Sequence, residues 1–500
     1  PHPTQIKGEM FVKLPQYDFW FICGTQTLYG DECIRQEDEH CRIMTESLNQ
    51  DPAIVGNFLY KGAVLDSQSI TDVILKANAD ERCAGVIAWM HTFSPSKMWI
   101  SGLSKLQKPY LHWNTQFSRD IPWNDIDMDY MNLNQSAHGD REHGFITARL
   151  RLPRKVIAGH WEDPVVRKRI GHWMRSAIGA FESRRLKVCR FGDNMREVAV
   201  TEGDKVEAEL KLGWSVNTWG VGDLIARMEQ VTEADVDAKM DEYRQKYDIR
   251  TDNLASVRYQ AREEVALERF LAEGGFGAFT DTFQDLQQLR QLMGLATQNL
   301  MGKGIGFGGE GDWKIAALDR VMKLMAQGLE GGTAFMEDYS YHMEPGNEGI
   351  LGAHMLEVDP DIAADRPWIE VHPLGIGDRE DPARLCFNTG DGDAIVATLV
   401  DMGDRFRMIV NDVKACKPFQ DMPKLPTARV MWKPLPDLYT SAEAWILAGG
   451  AHHTVLSYAL DAEHMRDLCE ILGIEFIHIN KDTTIAQLQK ELIWNDIVWK

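Results

Sequence analysis

The sequence predicts an α/β chain: two doubly wound units with mainly parallel sheets, followed by a β-rich third part. Three observations predict it. The 500 residues exceed what one hydrophobic core usually organises. Short apolar runs alternate with amphipathic stretches through the first third, and the rhythm restarts near residue 186. Beyond about residue 330 the texture changes to closely spaced strand patterns.

In chain order, Phe19-Trp20-Phe21-Ile22-Cys23, residues 54–60 and Gly85-Val86-Ile87-Ala88-Trp89 read as buried strands, with helices at 32–48 and 70–79. This β-α-β order implies a parallel sheet covered on both faces. After a helical stretch at 172–183, Leu186-Lys187-Val188-Cys189-Arg190-Phe191 opens the second unit, which continues through helical patterns at 232–247 and 257–272. Strand patterns at 395–399, 406–410, 428–432 and 474–479 make up most of the last third, and the turn-like Asp401-Met402-Gly403-Asp404 suggests a hairpin. The domain limits follow as 1–186, 187–332 and 333–500.

With 44% hydrophobic and 26% charged residues and no long apolar run, the composition is that of a globular protein and argues against membrane insertion. Lys+Arg of 54 against Asp+Glu of 75 gives a net charge of -21, which repels phosphate backbones and argues against a nucleic-acid partner. Cys23, Cys33, Cys41, Cys83, Cys189, Cys386, Cys416 and Cys469 form no C-x-x-C pair, which fits neither a zinc ribbon nor a disulfide framework and points to a reducing cytoplasm. Pro1-His2-Pro3-Thr4 lacks the basic-then-apolar layout of a signal peptide.

Candidate chemistry begins at Gly309-Glu310-Gly311-Asp312. Asp312 can cap a following helix with apolar positions Ile315, Leu318, Met322 and Met325, which sets Glu310 near a helix N-terminus that favours an ionised carboxylate. Gly304, Gly306 and Gly309 satisfy G-x-G-x-x-G, but a dinucleotide fingerprint needs a strand just before it, and 293–301 reads as helical or irregular. The other reading is that the glycines turn the backbone and bring Glu310 into a cavity.

Phe335-Met336-Glu337-Asp338 reads as an apolar strand ending in two acids, where a lone acid is more often solvated or salt-bridged. His354, if extended, shares a strand face with Leu356 and Val358, and its bland reading is a hydrogen-bonded core histidine. His452 and His453 stand between small residues that leave room for a ligand. Two carboxylates with imidazole suit a fairly hard divalent cation such as Mn²⁺. Only a fold can join residues so far apart in sequence.

Several longer motifs carry a resemblance. Gly24-Thr25-Gln26-Thr27-Leu28-Tyr29-Gly30, His91-Thr92-Phe93-Ser94-Pro95-Ser96-Lys97-Met98-Trp99, Asn132-Leu133-Asn134-Gln135-Ser136-Ala137-His138-Gly139, Cys189-Arg190-Phe191-Gly192-Asp193-Asn194-Met195-Arg196, Gly309-Glu310-Gly311-Asp312-Trp313-Lys314, Phe335-Met336-Glu337-Asp338-Tyr339 and Gly449-Gly450-Ala451-His452-His453-Thr454 together resemble the L-arabinose isomerase family. The likeness runs from about residue 18 to near the C-terminus and departs at Ser96, Ser136 and Asp140. Asp140 follows the Gln135 and His138 motif and so bears on substrate preference.

The resemblance implies two Rossmann-like domains and a β-rich domain of the fucose/arabinose isomerase type. It implies an aldose–ketose isomerase acting on L-arabinose, and on D-galactose as well. Metal ligands would be Glu310, Glu337, His354 and His453, with Glu310 and Glu337 also the acid/base pair working through an ene-diol. The sugar would meet Gln26, Leu28, Gln135, His138, Met195, Phe283, Ile376 and His452, the first four supplied by a neighbouring subunit of a cytoplasmic homohexamer. The cofactor would be Mn²⁺, with Co²⁺ or Mg²⁺ as substitutes, and no nicotinamide. A related isomerase for another sugar, a sugar-binding protein and a nicotinamide oxidoreductase are the competing readings.

Overall fold

A computed structural model describes residues 16–499 as two units. The reading of Pro1 to Thr4 lies outside the described residues. One unit comprises residues 16–181 with Arg466–Gly473, and the other comprises Glu182–Met465 with residues 474–499.

In the first unit, β1 (Asp18–Gly24), β2 (Asn57–Val64), β3 (Cys83–Trp89), β4 (Tyr110–Asn114) and β5 (Lys155–Ala158) pair in parallel in the order β2-β1-β3-β4-β5. Side-chain alternation distributes β1 between two cores. Phe19, Phe21 and Cys23 pack with Leu111, Trp113 and the residues Ile170, Trp173 and Ala177 of the helix Pro164–Ser183. Trp20 and Ile22 pack on the other face with Val86, Ala88 and the residues Ile70 and Ile74 of the helix Ser67–Ala79. Both faces are covered, as the apolar run predicts. The strand predicted at 54–60 starts only at Asn57, because Asp51 first forms a turn that takes the amides of Ala53 and Ile54.

The second unit contains β6 (Lys187–Phe191), β7 (Ser215–Trp219), β8 (Asp248–Ile249), β9 (Ala278–Thr280) and β10 (Gly306–Phe307), of which four form a parallel sheet ordered β10-β9-β6-β7. The predicted helix at 232–247 runs over Glu233–Lys246, started by a Thr232/Asp235 capping box, and that at 257–272 over Leu254–Gly274.

The same unit then builds β11 (Thr333–His342), β12 (Gly349–Ala353), β13 (Trp368–Val371), β14 (Ala383–Cys386), β15 (Gly392–Asp401), β16 (Phe406–Cys416), β17 (Val430–Pro434), β18 (His453–Ser457) and β19 (Glu475–Ile479). The antiparallel order β15-β18-β11-β12-β17-β16 closes on itself through β15 and β16, and β19 adds in parallel to β16. The predicted hairpin is this closing pair, with Asp401 opposite Phe406. A closed ring leaves few free strand edges. Ala444, Ala448 and Leu488, from the helices Leu438–Leu447 and Ile485–Val498 and the turn after the first, cover it at Val400, Ile409 and Ile477. Smaller strands β14, β13 and β8 form a separate sheet.

The observed class is therefore mixed α/β with parallel sheets and a β-rich C-terminal barrel. No helix among the described residues is long and apolar enough to cross a membrane, and all eight cysteines are free thiols.

Candidate active site

β11 sits between β18 and β12, and this register organises the site. Glu337 lies directly opposite His453 on one side and Ala353 on the other. Opposed residues of an antiparallel pair share a face, so Glu337, His453 and Phe335 point the same way. The strand does not stop at its acids, as the sequence suggested, but continues to His342. Asp338 consequently faces away from Glu337 and accepts a hydrogen bond from Thr454 Oγ1 at 3.2 Å.

His354 follows the end of β12 and does not share an extended face with Leu356 and Val358. The chain folds back because Glu357 accepts from both the Leu356 amide, at 3.2 Å, and His354 Nδ1, at 2.5 Å. The Phe335 ring lies under both imidazoles, with centroids 4.9 Å from His354 and 5.4 Å from His453.

Glu310 reaches the same place from the loop between β10 and the helix Trp313–Ala326. Asp312 caps this helix, accepting from the Ile315 amide, as predicted. Glu310 holds a left-handed φ of 64°, fixed by the Met195 amide, which donates to its carbonyl at 2.8 Å, and by Gly311, whose φ is 83° and whose missing side chain lets Asn194 Cα approach. The stretch before G-x-G-x-x-G is the helix Leu295–Met301, so the fingerprint's leading strand is missing, and β10 lies inside the motif. Gly309 has a different use: a Cβ there would stand 2.8 Å from Cε1 and Nε2 of His354.

Glu310 Oε2 lies 3.4 Å from His453 Nε2 and 3.5 Å from His452 Nε2, and the ligand atoms of these three residues all lie within 4.8 Å of one another. The His354 ring stands 5.9 Å from that of His453. The structure thus groups Glu310 and His453 with His452, sets the His354 ring beside that of His453, and places Glu337 opposite His453 on the neighbouring strand. His354 Nε2 and His453 Nε2 are buried without a hydrogen-bond partner. Two buried ring nitrogens left without partners beside carboxylates are the donor set a divalent cation requires, so these residues fit one.

The electrostatics agree. Burial would push His354 down, but the Glu357 carboxylate, with Glu337 and Glu310 beyond it, outweighs burial and lifts the ring to about 9. His452 is raised by its hydrogen bond to Glu310. Glu310 is held below its usual range because His452, His453 and His354 outweigh its burial. The field favours positive charge at the spot, whether a proton or a metal ion.

Of the residues expected to meet a sugar, Met195, Phe283, Ile376 and His452 belong to this unit. Met195 anchors Glu310, and Phe283 packs against Gly377, beside Ile376. Gln26, Leu28, Gln135 and His138 belong to the other unit, where Gln26 and His138 both reach Phe93. Gln26 Nε2 donates to the Phe93 carbonyl at 2.8 Å, the His138 ring lies 5.0 Å from the Phe93 ring, and Leu28 is 77% exposed. Asp140, the departure from the family pattern that follows the Gln135 and His138 motif, is turned inward and buried against the Met90 amide, His112 and Asn114.

Asp312 as a partner of His453, Glu357 and the buried Asp281 were missed. Burial and the nearby Glu357 carboxylate push Asp281 up to about 8. The only hint in the sequence was the His354-x-x-Glu357 spacing.

Three family models match the chain: the L-arabinose isomerase N-terminal domain over residues 13–185, the central domain over 187–328 and the C-terminal domain over 332–475. The chain belongs to the L-arabinose isomerase family. It is 58% identical to the L-arabinose isomerase of Geobacillus kaustophilus over 495 residues, covering 98% of this chain and 99% of the relative. It is also 58% identical over 492 residues to that of Anoxybacillus flavithermus, covering 97% and 98%, and 55% identical over 490 residues to that of Thermotoga maritima, covering 98% and 99%. Membership makes the chain an isomerase, and Glu310, His452 and His453 form a group that could hold a metal ion.

Proposed function

We propose that the chain converts L-arabinose to L-ribulose, and D-galactose to D-tagatose, at a divalent cation held by Glu310, Glu337, His354 and His453. The observation that carries this reading is the pair of buried Nε2 atoms on His354 and His453, neither hydrogen-bonded, beside Glu310. Mn²⁺ is the preferred ion, with Co²⁺ or Mg²⁺ able to replace it, because the set mixes carboxylate oxygen with imidazole nitrogen and contains no thiolate. When bound, the cation supplies Lewis acidity for the negative charge that develops on the sugar oxygens.

Glu310 and Glu337 carry the protons. One carboxylate takes the proton from C2 of the open-chain aldose while the carbonyl oxygen at C1 gains a proton, giving an ene-diol. Returning a proton to C1 and removing one from the C2 hydroxyl completes the ketose. His452, partly exposed beside Glu310, is placed to donate to a sugar hydroxyl. Met195, Phe283 and Ile376 shape the sugar's surroundings.

Gln26, Leu28, Gln135 and His138 complete the site from a neighbouring copy in a cytoplasmic homohexamer, a reading supported by the family resemblance and by the exposure of Leu28. Domain limits at 1–186, 187–332 and 333–500 belong to the same reading.

Glu310→Gln and Glu337→Gln test the acid/base roles. Each is expected to lower turnover on L-arabinose by at least about 100-fold at saturating Mn²⁺. Near-normal turnover in both, with metal bound, would remove the two residues from proton transfer.

A further inference from the structure

The two imidazoles of the site are held in the same way. His453 Nδ1 lies 3.1 Å from Asp312 Oδ2, and His354 Nδ1 lies 2.5 Å from Glu357 Oε2. In both rings the other nitrogen, Nε2, is buried and has no hydrogen-bond partner. All four residues are buried, His453 and Asp312 completely.

From this shared geometry we infer that Asp312 and Glu357 are positioning residues, each holding the Nδ1–H of its histidine so that the Nε2 lone pair is presented to the cation. The inference rests on the reading of the site as a metal centre. A neutral imidazole carries one proton, and a carboxylate accepting at Nδ1 assigns that proton there, leaving Nε2 free as a ligand. The same bond fixes the ring's rotation and makes the ligand nitrogen more basic.

Each carboxylate is itself tied to the backbone. Asp312 accepts from the Ile315 amide as the cap of the helix Trp313–Ala326, with the buried Lys314 ammonium 3.5 Å from its Oδ1. The same Lys314 donates to the carbonyls of Thr201 and Glu202, at 3.1 and 2.6 Å. Glu357 accepts from the Leu356 amide. Both rings are therefore referred to rigid chain rather than to mobile side chains. Gly309 preserves the outcome at His354, since a Cβ there would stand against Nε2. Neither carboxylate touches the substrate in this account; each acts through its ring.

The test is Mn²⁺ binding by the otherwise unaltered chain, read from free Mn²⁺ by electron paramagnetic resonance after chelation and dialysis. Asp312→Asn and Glu357→Gln keep an oxygen for the backbone amide but remove the charge that assigns the proton. Each is expected to raise the Mn²⁺ dissociation constant by about 10- to 100-fold while the metal-free protein keeps its melting temperature. Asp319→Asn, which alters a buried carboxylate on the same helix that bonds the Phe307 amide and no ring, is expected to leave Mn²⁺ affinity unchanged. Folded Asp312→Asn and Glu357→Gln proteins that bind Mn²⁺ as tightly as the parent would overturn the inference. Equal weakening in Asp319→Asn would also overturn it, by showing a general loss of packing. A parent chain that binds no Mn²⁺ would instead remove the metal-centre reading itself.

Discussion

Glu310 keeps a left-handed backbone, which costs a non-glycine residue about 1 kcal/mol or more. Two contacts keep it there, the Met195 amide on its carbonyl and the close approach of Asn194 to Gly311. The gain is a carboxylate delivered between His452 and His453. Gly309, one residue earlier, allows the His354 ring to stand against the loop. A methyl there would fall 2.8 Å from two ring atoms. Gly309→Ala is therefore expected to displace His354, lower the melting temperature at a cost of about 1–3 kcal/mol, and raise the Mn²⁺ concentration needed for half-maximal activity. Titrating activity with Mn²⁺ in the parent and variant checks this; identical curves would mean that the ring is free to move aside.

At the scale of elements, the helix Asp31–Asn49 shows how burial shapes pH dependence. It buries Cys41, Met44 and Leu48 against the sheet, and on the same face Glu37, which is fully buried. Burial pushes the Glu37 carboxyl up to about 8, although Cys23, Thr25 and Thr92 bond it. An acid raised on folding binds more protons in the native state than in the unfolded chain, so its stabilising contribution is complete below the unfolded value of 4.5 and is lost as pH rises through about 8. Between pH 6 and pH 9 this loss is on the order of 2 kcal/mol. Glu37→Gln should therefore gain melting temperature relative to the parent as pH rises over that range. A constant difference between the two would show that Glu37 ionises freely in the folded protein.

The same scale shows what was legible in the sequence. Uninterrupted apolar runs such as 19–23 and 85–89 announced β1 and β3, because a strand buried on both faces has no polar positions to blur it. Asp312 was legible as a cap because capping is local. Its bond to His453 was not, since the partner lies 141 residues away and depends on barrel register. The continuation of β11 beyond Asp338 was hidden for a related reason: pairing with β12 supports the polar run 339–342, and pairing is invisible to periodicity. The four proposed ligands were joined by family motifs; local pattern alone left each of them with an ordinary structural explanation.

For the whole molecule, the unit ending in the closed barrel brings together an acid from a loop after a parallel sheet, an acid and a histidine from two paired barrel strands, and a histidine from a turn. A small change in any one element would move one proposed ligand against the others, so the proposed site depends on the complete unit. The net charge of -21 is indifferent to a neutral sugar but favours accumulation of divalent cations near the surface. The central claim is that this assembly isomerises L-arabinose through a bound divalent cation. The most direct measurement is ketose formation from L-arabinose after removal of metal with chelator and return of Mn²⁺, Co²⁺ or Mg²⁺ in turn. Activity should vanish on chelation and return most fully with Mn²⁺, with ketose also formed from D-galactose; full activity in the stripped protein, or none with any of the metals, would contradict it.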